Sequence, residues 1–130
     1  MTAILDTLST TQQGRPWFLR VYTYAQDPKV IQHLKDTCAT HPSIPPADKF
    51  QLILLRDLHT DKQYIQTRMW ADLRRARLCH AQHVYYYITG IHRPDQTYNK
   101  DCRDFIHRAA RTATELQGKH HDVQIHYADL

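Results

Sequence analysis

Serine, glycine and glutamate are scarce in this chain of 130 residues. The two serines, Ser9 and Ser43, do not lie in the Gly-x-Ser-x-Gly motif that positions a serine nucleophile on a strand-to-helix turn. The three glycines are far apart, so the chain lacks the clustered glycines that let a backbone wrap around nucleotide phosphates. Glu115 is the only glutamate, which excludes acid–base catalysis by a glutamate pair. We predict no catalytic residue and favour a binding module over an enzyme.

Cysteines are also few and widely spaced. Cys38, Cys79 and Cys102 are odd in number and form no Cys-x-x-Cys motif, which argues against a disulfide framework and against a four-cysteine zinc site. His80 and His83 follow Cys79 closely, but no matching pair lies downstream at zinc-finger spacing. We interpret the cysteines as small buried residues of helices.

Long apolar runs are missing as well. The longest strongly apolar run is Leu52 to Leu55, whereas a helix that crosses a bilayer needs about 20 apolar residues. The N-terminal segment has no basic residue before its short apolar stretch and contains Asp6, so it does not match a secretory signal. These features predict a cytoplasmic protein of one domain. We expect residues 1–16 to form an arm or a short helix and residues 17–130 to form the domain.

The charge balance is mildly basic. Seventeen lysines and arginines face thirteen aspartates and glutamates, which gives a formal net charge of +4 with neutral histidine. Arginine outnumbers lysine by 11 to 6, and its planar guanidinium group matches the geometry of phosphate and carboxylate groups. The ten histidines would add positive charge as the pH falls toward about 6. The composition therefore favours an anionic partner.

Aromatic and β-branched residues predict strands over 17–24 and His83–Ile91, with a short final strand over 123–127. The segment 49–58 is ambiguous, because its continuous apolar content fits a buried strand while its leucines and the preceding Pro-Pro-Ala-Asp fit a helix start. We favour the strand. A helix here would form a helix-turn-helix-like pair with the helix that follows.

Three main helices are predicted between these strands. Asp27 and Pro28 have the residue types of an N-cap and a first helical position, and the first helix must end before Pro42. The last long helix is closed by Gly118. Its apolar residues recur at helical spacing: Cys102, Phe105, Ile106, Ala109, Ala113 and Leu116.

The middle helix is predicted to begin at a cap formed by Thr60 or Asp61 and to run to about Cys79. Its apolar stripe consists of Ile65, Met69, Leu73 and Ala76. Strands that alternate with helices predict an α/β fold (or an α+β fold) in one two- or three-layer domain, with about four strands and three main helices.

The middle helix also carries a basic and aromatic face. Helical spacing places Trp70, Arg74 and Arg77 on one side, away from the apolar stripe, and Arg68 and Arg75 on the opposite flank. An indole between arginines can stack on a base while the guanidinium groups contact phosphates. The alternative is an ordinary solvated helix face with Trp70 at the edge of the core.

Two further sets of residues extend this prediction. Arg103, His107 and Arg111 follow each other at i, i+4 and i+8 on the last long helix and form a second basic stripe. Tyr85 and Tyr87 lie on one face of their strand, where an exposed pair would suit base stacking or a protein interface. If helices cover that face, the same tyrosines are core residues.

Aspartates and histidines in the predicted loops form another candidate group. In a parallel sheet the loops after the strands meet at one edge, where carboxylates and imidazoles could hold a divalent metal and activate water. The residues are Asp27, Asp57, His59, Asp61, His92, Arg93 and Asp95. Helix capping explains several of these aspartates without catalysis, and we predict no metal and no cofactor.

These patterns together favour a small module that binds an anionic macromolecule, above all nucleic acid. The candidate binding residues are Arg68, Trp70, Arg74, Arg75, Arg77, Tyr85, Tyr87, Arg103, His107 and Arg111. One alternative is a non-catalytic protein-interaction or inhibitor module that buries tyrosine and tryptophan against a protein partner. The other is a metal-dependent phosphoesterase that uses the aspartate and histidine loops.

Overall fold

Strands and helices alternate along the chain, as the sequence predicts. The structure, a computed structural model, describes residues 17–40, 50–90, 96–118 and 122–128. The elements in chain order are β1 (Trp17–Thr23), α1 (Pro28–Thr40), β2 (Phe50–Leu54), α2 (Leu58–Leu78), β3 (His83–Thr89), α3 (Gln96–Leu116) and β4 (Asp122–Ala128). The predicted α/β domain with four strands and three main helices is confirmed. The expected N-terminal arm, residues 1–16, lies outside the described residues.

The four strands form one parallel sheet in the order β2-β1-β3-β4. The chain moves from β1 to β2 in one direction, and from β2 to β3 and then to β4 in the other. Because crossovers between parallel strands are right-handed, this change of direction places α1 on one face of the sheet and α2 and α3 on the other. None of the helices in the described ranges is both long and apolar enough to cross a bilayer.

The ambiguous segment is a strand. Val21 of β1 is in register with Leu52 of β2, and the Leu55 N–H donates to the Thr23 carbonyl at 2.8 Å just beyond the strand. The helix-turn-helix alternative is therefore wrong. Ile53 is buried in the core on the side of α2 and α3, and Leu52 packs against the core on the opposite face of the sheet. Because both faces of β2 are covered, its apolar residues are consecutive and do not alternate with polar ones.

The larger core lies between the sheet and helices α2 and α3. The predicted stripe of α2 is fully buried: Ile65, Met69, Leu73 and Ala76. The stripe of α3 is confirmed from Cys102 to Ala113, but Leu116 is 67% exposed. Leu116 lies in the last turn of α3 and lines the groove between α2 and α3 instead of the core.

A smaller core covers the opposite face of β1 and β3. It contains Trp17, Leu19, Val21, Tyr85 and Tyr87, with Leu52 at its edge. Tyr85 and Tyr87 are only 4% and 8% exposed, so the expectation that they form an accessible stacking surface is corrected. Tyr87 and Val21 are in register on neighbouring central strands, and both faces of a parallel sheet are normally covered.

Helix capping follows the predicted chemistry, with one change of residue. Asp27 accepts a hydrogen bond from the Lys29 N–H at 2.9 Å, just before α1 begins at Pro28. Helix α2 is capped by Asp57, which accepts from the Thr60 N–H at 2.9 Å, and not by Thr60 or Asp61. Asp61 lies in the first turn and folds back instead: its buried carboxylate accepts the N–H groups of the two residues before the helix, Arg56 and Asp57.

Candidate functional site: three basic clusters

A buried ion pair connects the sheet to α2. Arg20 is 1% exposed in the middle of β1, and its Nε donates to Asp72 Oδ1 of α2 at 3.0 Å. The Arg20 guanidinium also lies 4.6 Å from the centre of the Phe18 ring and donates to the Leu19 carbonyl. Neither Arg20 nor Asp72 was among the residues that the sequence pattern singled out. A buried arginine is costly unless its charge and donors are satisfied, so these contacts fix its position.

Two tyrosines complete the surroundings of Asp72. The hydroxyl groups of Tyr22 and Tyr86 both donate to Asp72 Oδ2, at 2.9 and 3.2 Å, and their rings meet edge to face with centres 5.3 Å apart. Burial, reinforced by the negative charge of Asp72, raises the pKa of both tyrosines well above the usual value. Asp72 is therefore a shared acceptor for one guanidinium and two hydroxyl groups.

The first basic cluster lies around this pair and encloses a cavity of about 360 Å³ between α2 and β2. We call it the arginine pocket. Among the residues that the structure describes, its lining consists of Arg20, Gln51, Arg68, Ala71, Asp72 and Arg75. Arg68 Nε lies 3.6 Å from Asp72 Oδ1, which is close enough for charge attraction but too long for a hydrogen bond. Two of the predicted arginines, Arg68 and Arg75, thus meet at a buried third arginine.

The second basic cluster is on the outer face of α2, formed by Trp70, Arg74 and Arg77. The Arg74 guanidinium lies 5.3 Å from the centre of the Trp70 ring, within the range of a cation–π contact. The indole is half-buried, while Arg74 and Arg77 are exposed. Within the described residues, neither arginine has a carboxylate at ion-pair distance. We call this cluster the tryptophan face.

The third basic cluster lies between α3 and β4. The Arg103 guanidinium is 5.2 Å from the centre of the Tyr127 ring, and the His107 ring is 5.6 Å from the same ring. Burial raises the pKa of Tyr127, although the positive charge of Arg103 acts in the opposite direction. His107 and Arg111 line a groove of about 440 Å³ that also contains Glu115.

The predicted basic stripes of α2 and α3 do not form one surface. The described lining of the groove between the two helices is uncharged: Gln66, Thr67, Trp70, Ala109, Thr112, Ala113 and Leu116. Arg103, His107 and Arg111 instead face β4, on the other side of α3. The expected binding residues of α2 are therefore divided between the arginine pocket and the tryptophan face, and those of α3 are separate.

Three of the loop aspartates that the sequence suggests as metal ligands accept backbone N–H groups instead. Asp27, Asp57 and Asp61 each accept backbone N–H groups at the start of α1 or α2. Within the described ranges, no three histidine, cysteine, aspartate or glutamate side chains are grouped closely enough to hold a metal ion. The segment 91–95, with its histidine, arginine and aspartate, lies outside the described residues, as does the side chain of His59.

The point where the crossovers change direction lies between the ends of β1 and β3, a common ligand site in parallel sheets. Here the two strand ends touch. Gly90 has a φ of 78°, and a Cβ atom at this position would lie 2.6 Å from the Ala25 nitrogen. The Thr89 hydroxyl donates to the Thr23 hydroxyl at 2.7 Å directly before this contact. The backbone at Gly90 therefore packs directly against Ala25 at this edge of the sheet.

Comparisons with protein-family models, with curated proteins and with solved structures find no match for this chain. The geometry of the three basic clusters therefore carries the functional argument.

Proposed function

We propose that the protein binds nucleic acid through the tryptophan face of α2. The observation that carries this proposal is the arrangement of Trp70 and Arg74: an indole on the helix surface, half-buried, with a guanidinium 5.3 Å from its ring centre. Arg77 follows Arg74 by three residues, so it lies about one turn further along the helix. A flat aromatic ring next to exposed cations is the combination that proteins use to stack a base and hold the adjacent phosphates.

The charges of this part of α2 support the proposal. Arg68, Arg74, Arg75 and Arg77 lie within ten residues of sequence, and Asp72 is the only acidic residue among them. Asp72 is buried with Arg20, so it does not neutralise the outer surface. Positive charge near a helix C-terminus is favourable for stability by itself, and this accounts for the composition of the last turn. It does not account for the tryptophan between the arginines.

Fluorescence anisotropy with labelled single-stranded DNA and RNA tests the proposal. The logarithm of affinity is expected to fall linearly with the logarithm of salt concentration, because binding releases counterions from phosphates. The variant with Arg74→Ala and Arg77→Ala is expected to flatten that slope by about 1 or more. The matched control carries Lys29→Ala and Lys35→Ala, which remove the same charge from exposed positions of α1. Equal loss in both variants, or no binding at about 50 mM salt, would contradict the proposal.

Intrinsic fluorescence gives a second readout of the same surface. The chain has two tryptophans, and Trp17 lies in the small core, 8% exposed, on the other face of the sheet. In a Trp17→Phe variant, Trp70 is the only fluorescent indole. Stacking of a base on Trp70 is expected to quench this emission in step with the anisotropy change, whereas binding elsewhere would leave it unchanged.

A protein partner is the second candidate, and one observation favours it. Leu116 is 67% exposed at the end of the groove between α2 and α3, next to the half-buried Trp70. Exposed apolar groups beside a tryptophan are typical of protein interfaces. A partner that co-purifies at high salt and is lost on Leu116→Asp substitution would support this function, because apolar contacts persist when phosphate contacts are screened.

A further inference from the structure

We infer that the arginine pocket binds a phosphate group that carries a P–OH hydrogen, such as hydrogenphosphate or the singly protonated form of a terminal phosphate. This site is distinct from the tryptophan face, because Arg68 and Arg75 lie on the opposite flank of α2 from Trp70 and Arg74. The pocket draws its walls from three elements: Arg20 from β1, Gln51 from β2 and one flank of α2. Its use as a binding site follows from charge and from two unsatisfied polar atoms.

The charge of the pocket is unbalanced. The described part of its lining includes three guanidinium groups, those of Arg20, Arg68 and Arg75, and one carboxylate, Asp72. Asp72 already accepts from Arg20, Tyr22 and Tyr86, and its distance of 3.6 Å from Arg68 Nε leaves that donor without a hydrogen bond. Within the described part of the chain, the Arg75 side chain has no carboxylate partner. Among the described lining residues, positive charges therefore exceed negative charges by two.

Two buried polar atoms of the lining, Arg68 Nε and Gln51 Oε1, have no hydrogen-bond partner within the part of the chain that the structure describes. Buried donors and acceptors are nearly always paired, so a missing partner indicates a bound molecule or water. Arg68 Nε needs an acceptor, and Gln51 Oε1, in the orientation that the side-chain amide has here, needs a donor. A ligand that fits must combine negative charge, acceptor oxygens and at least one hydroxyl hydrogen.

Hydrogenphosphate meets all three requirements and carries two negative charges, whereas hydrogencarbonate also has an O–H group but carries only one. Carboxylate and sulfate ions offer acceptor oxygens but no O–H donor at neutral pH. Hydrogenphosphate carries two negative charges and one P–OH group, which matches both the surplus charge and the two unsatisfied atoms. Arginine is the residue that most often binds phosphate by paired hydrogen bonds. The cavity of about 360 Å³ also leaves room for a sugar or nucleoside attached to the phosphate.

Isothermal titration calorimetry of the full chain with inorganic phosphate tests this inference, with sulfate at matched ionic strength as the comparison anion. We expect saturable phosphate binding, with sulfate about tenfold weaker or more, since loss of a charge-assisted hydrogen bond changes affinity by at least that factor. Arg75→Gln, an exposed position where folding is retained, is expected to weaken phosphate binding about tenfold. The control Arg74→Gln, on the other flank, leaves it unchanged.

Gln51→Met tests the hydroxyl requirement separately. This substitution removes the unpaired acceptor with little change of volume, so phosphate is expected to lose its advantage over sulfate. Equal binding of the two anions by the unaltered protein would overturn the inference. So would absence of phosphate binding at about 10 mM, which would leave water as the occupant of the pocket.

Three further ligands distinguish the source of the phosphate and separate this inference from the proposed function. They are a nucleoside 5′-monophosphate and an oligonucleotide with or without a 5′-phosphate. If the 5′-phosphorylated oligonucleotide binds more tightly than the unphosphorylated one, and Arg75→Gln abolishes this preference, the pocket binds the ends of nucleic acid strands. If only the mononucleotide binds tightly, the pocket binds a small ligand. The variant with Arg74→Ala and Arg77→Ala tests the tryptophan face independently, because it leaves every lining residue of the pocket in place.

Discussion

Arg20 Nε and Asp72 Oδ1 lie 3.0 Å apart inside the protein, although 52 residues separate them in sequence. Both side chains are almost completely buried. This pair links the central strand β1 to helix α2, and it forms one wall of the arginine pocket. The pair therefore holds the helix that carries the candidate site at a fixed position over the sheet.

Loss of one partner is expected to destabilise the fold strongly. In Asp72→Ala, the buried Arg20 charge and the hydroxyl groups of Tyr22 and Tyr86 lose their acceptor. We expect the free energy of unfolding to fall by about 3–5 kcal/mol, measured by urea denaturation. The double variant with Arg20→Met and Asp72→Leu is expected to lose less than the sum of the two single variants, because no unpaired charge remains. Additive losses would show that the two residues do not interact.

The buried tyrosines predict loss of stability at high pH. Tyr22 and Tyr86 have pKa values raised by burial and by Asp72, and burial also raises those of Tyr87 and Tyr127. A tyrosine whose pKa is higher in the folded than in the unfolded state stabilises the folded protein at pH values below its unfolded-state pKa of about 10. This stabilisation is lost as the pH rises above that value. Ultraviolet titration is expected to show at least four of the eight tyrosines ionising late in the native protein. In denaturant all eight should ionise together near pH 10; identical native and denatured curves would contradict the burial.

Gly90→Ala is expected to destabilise the sheet. The residue has a φ of 78°, which other residues rarely adopt, and an added Cβ atom would lie 2.6 Å from the Ala25 nitrogen. Backbone cannot move aside as a flexible side chain can, so we expect a loss of about 2 kcal/mol or more in thermal or urea unfolding. Gly118→Ala, another glycine with positive φ but at an exposed helix end, is the matched control and is expected to cost about 1 kcal/mol.

The cap of α2 predicts a smaller effect. Asp57→Ala removes the acceptor of the Thr60 N–H and is expected to lower stability by about 1 kcal/mol. Asp57→Asn keeps an acceptor oxygen and should restore most of that loss. Arg68 and Arg75, which line the arginine pocket, lie well beyond the first turn of α2. Fraying of that turn should therefore leave phosphate binding unchanged. A loss of binding equal to that of Arg75→Gln would contradict the separate roles.

The order of strands and helices could be predicted from local patterns. Alternating aromatic and β-branched residues marked β1 and β3, and Asp27 before Pro28 marked the start of α1. The cap of α2 could not be assigned by residue type alone, because Asp57, Thr60 and Asp61 are all suitable caps. Their roles depend on where β2 ends and how the chain turns, since Asp61 accepts the N–H groups that precede the helix.

The candidate site was only partly visible in the sequence. The arginines of α2 were identified, but their division into two clusters depends on how the helix rotates against the sheet. Arg20 was overlooked, although it occupies a position between Leu19 and Val21 that alternates onto the same face as Phe18. A charged residue at such a core position requires a buried partner, so the strand pattern by itself indicates that Arg20 takes part in a buried ion pair. The partner itself, Asp72, is distant in sequence and could not be assigned by local spacing.

Locating bound nucleic acid on the folded protein distinguishes the tryptophan face from the other basic clusters. Nuclear magnetic resonance with ¹⁵N-labelled protein and a short single-stranded oligonucleotide follows both indole N–H signals and the backbone of every helix. If the tryptophan face binds nucleic acid, the Trp70 indole signal and the amides near Arg74 and Arg77 shift first, while the Trp17 indole signal stays in place. Shifts confined to the α3 and β4 groove around Arg103 and Tyr127, with Trp70 unaffected, would contradict this prediction.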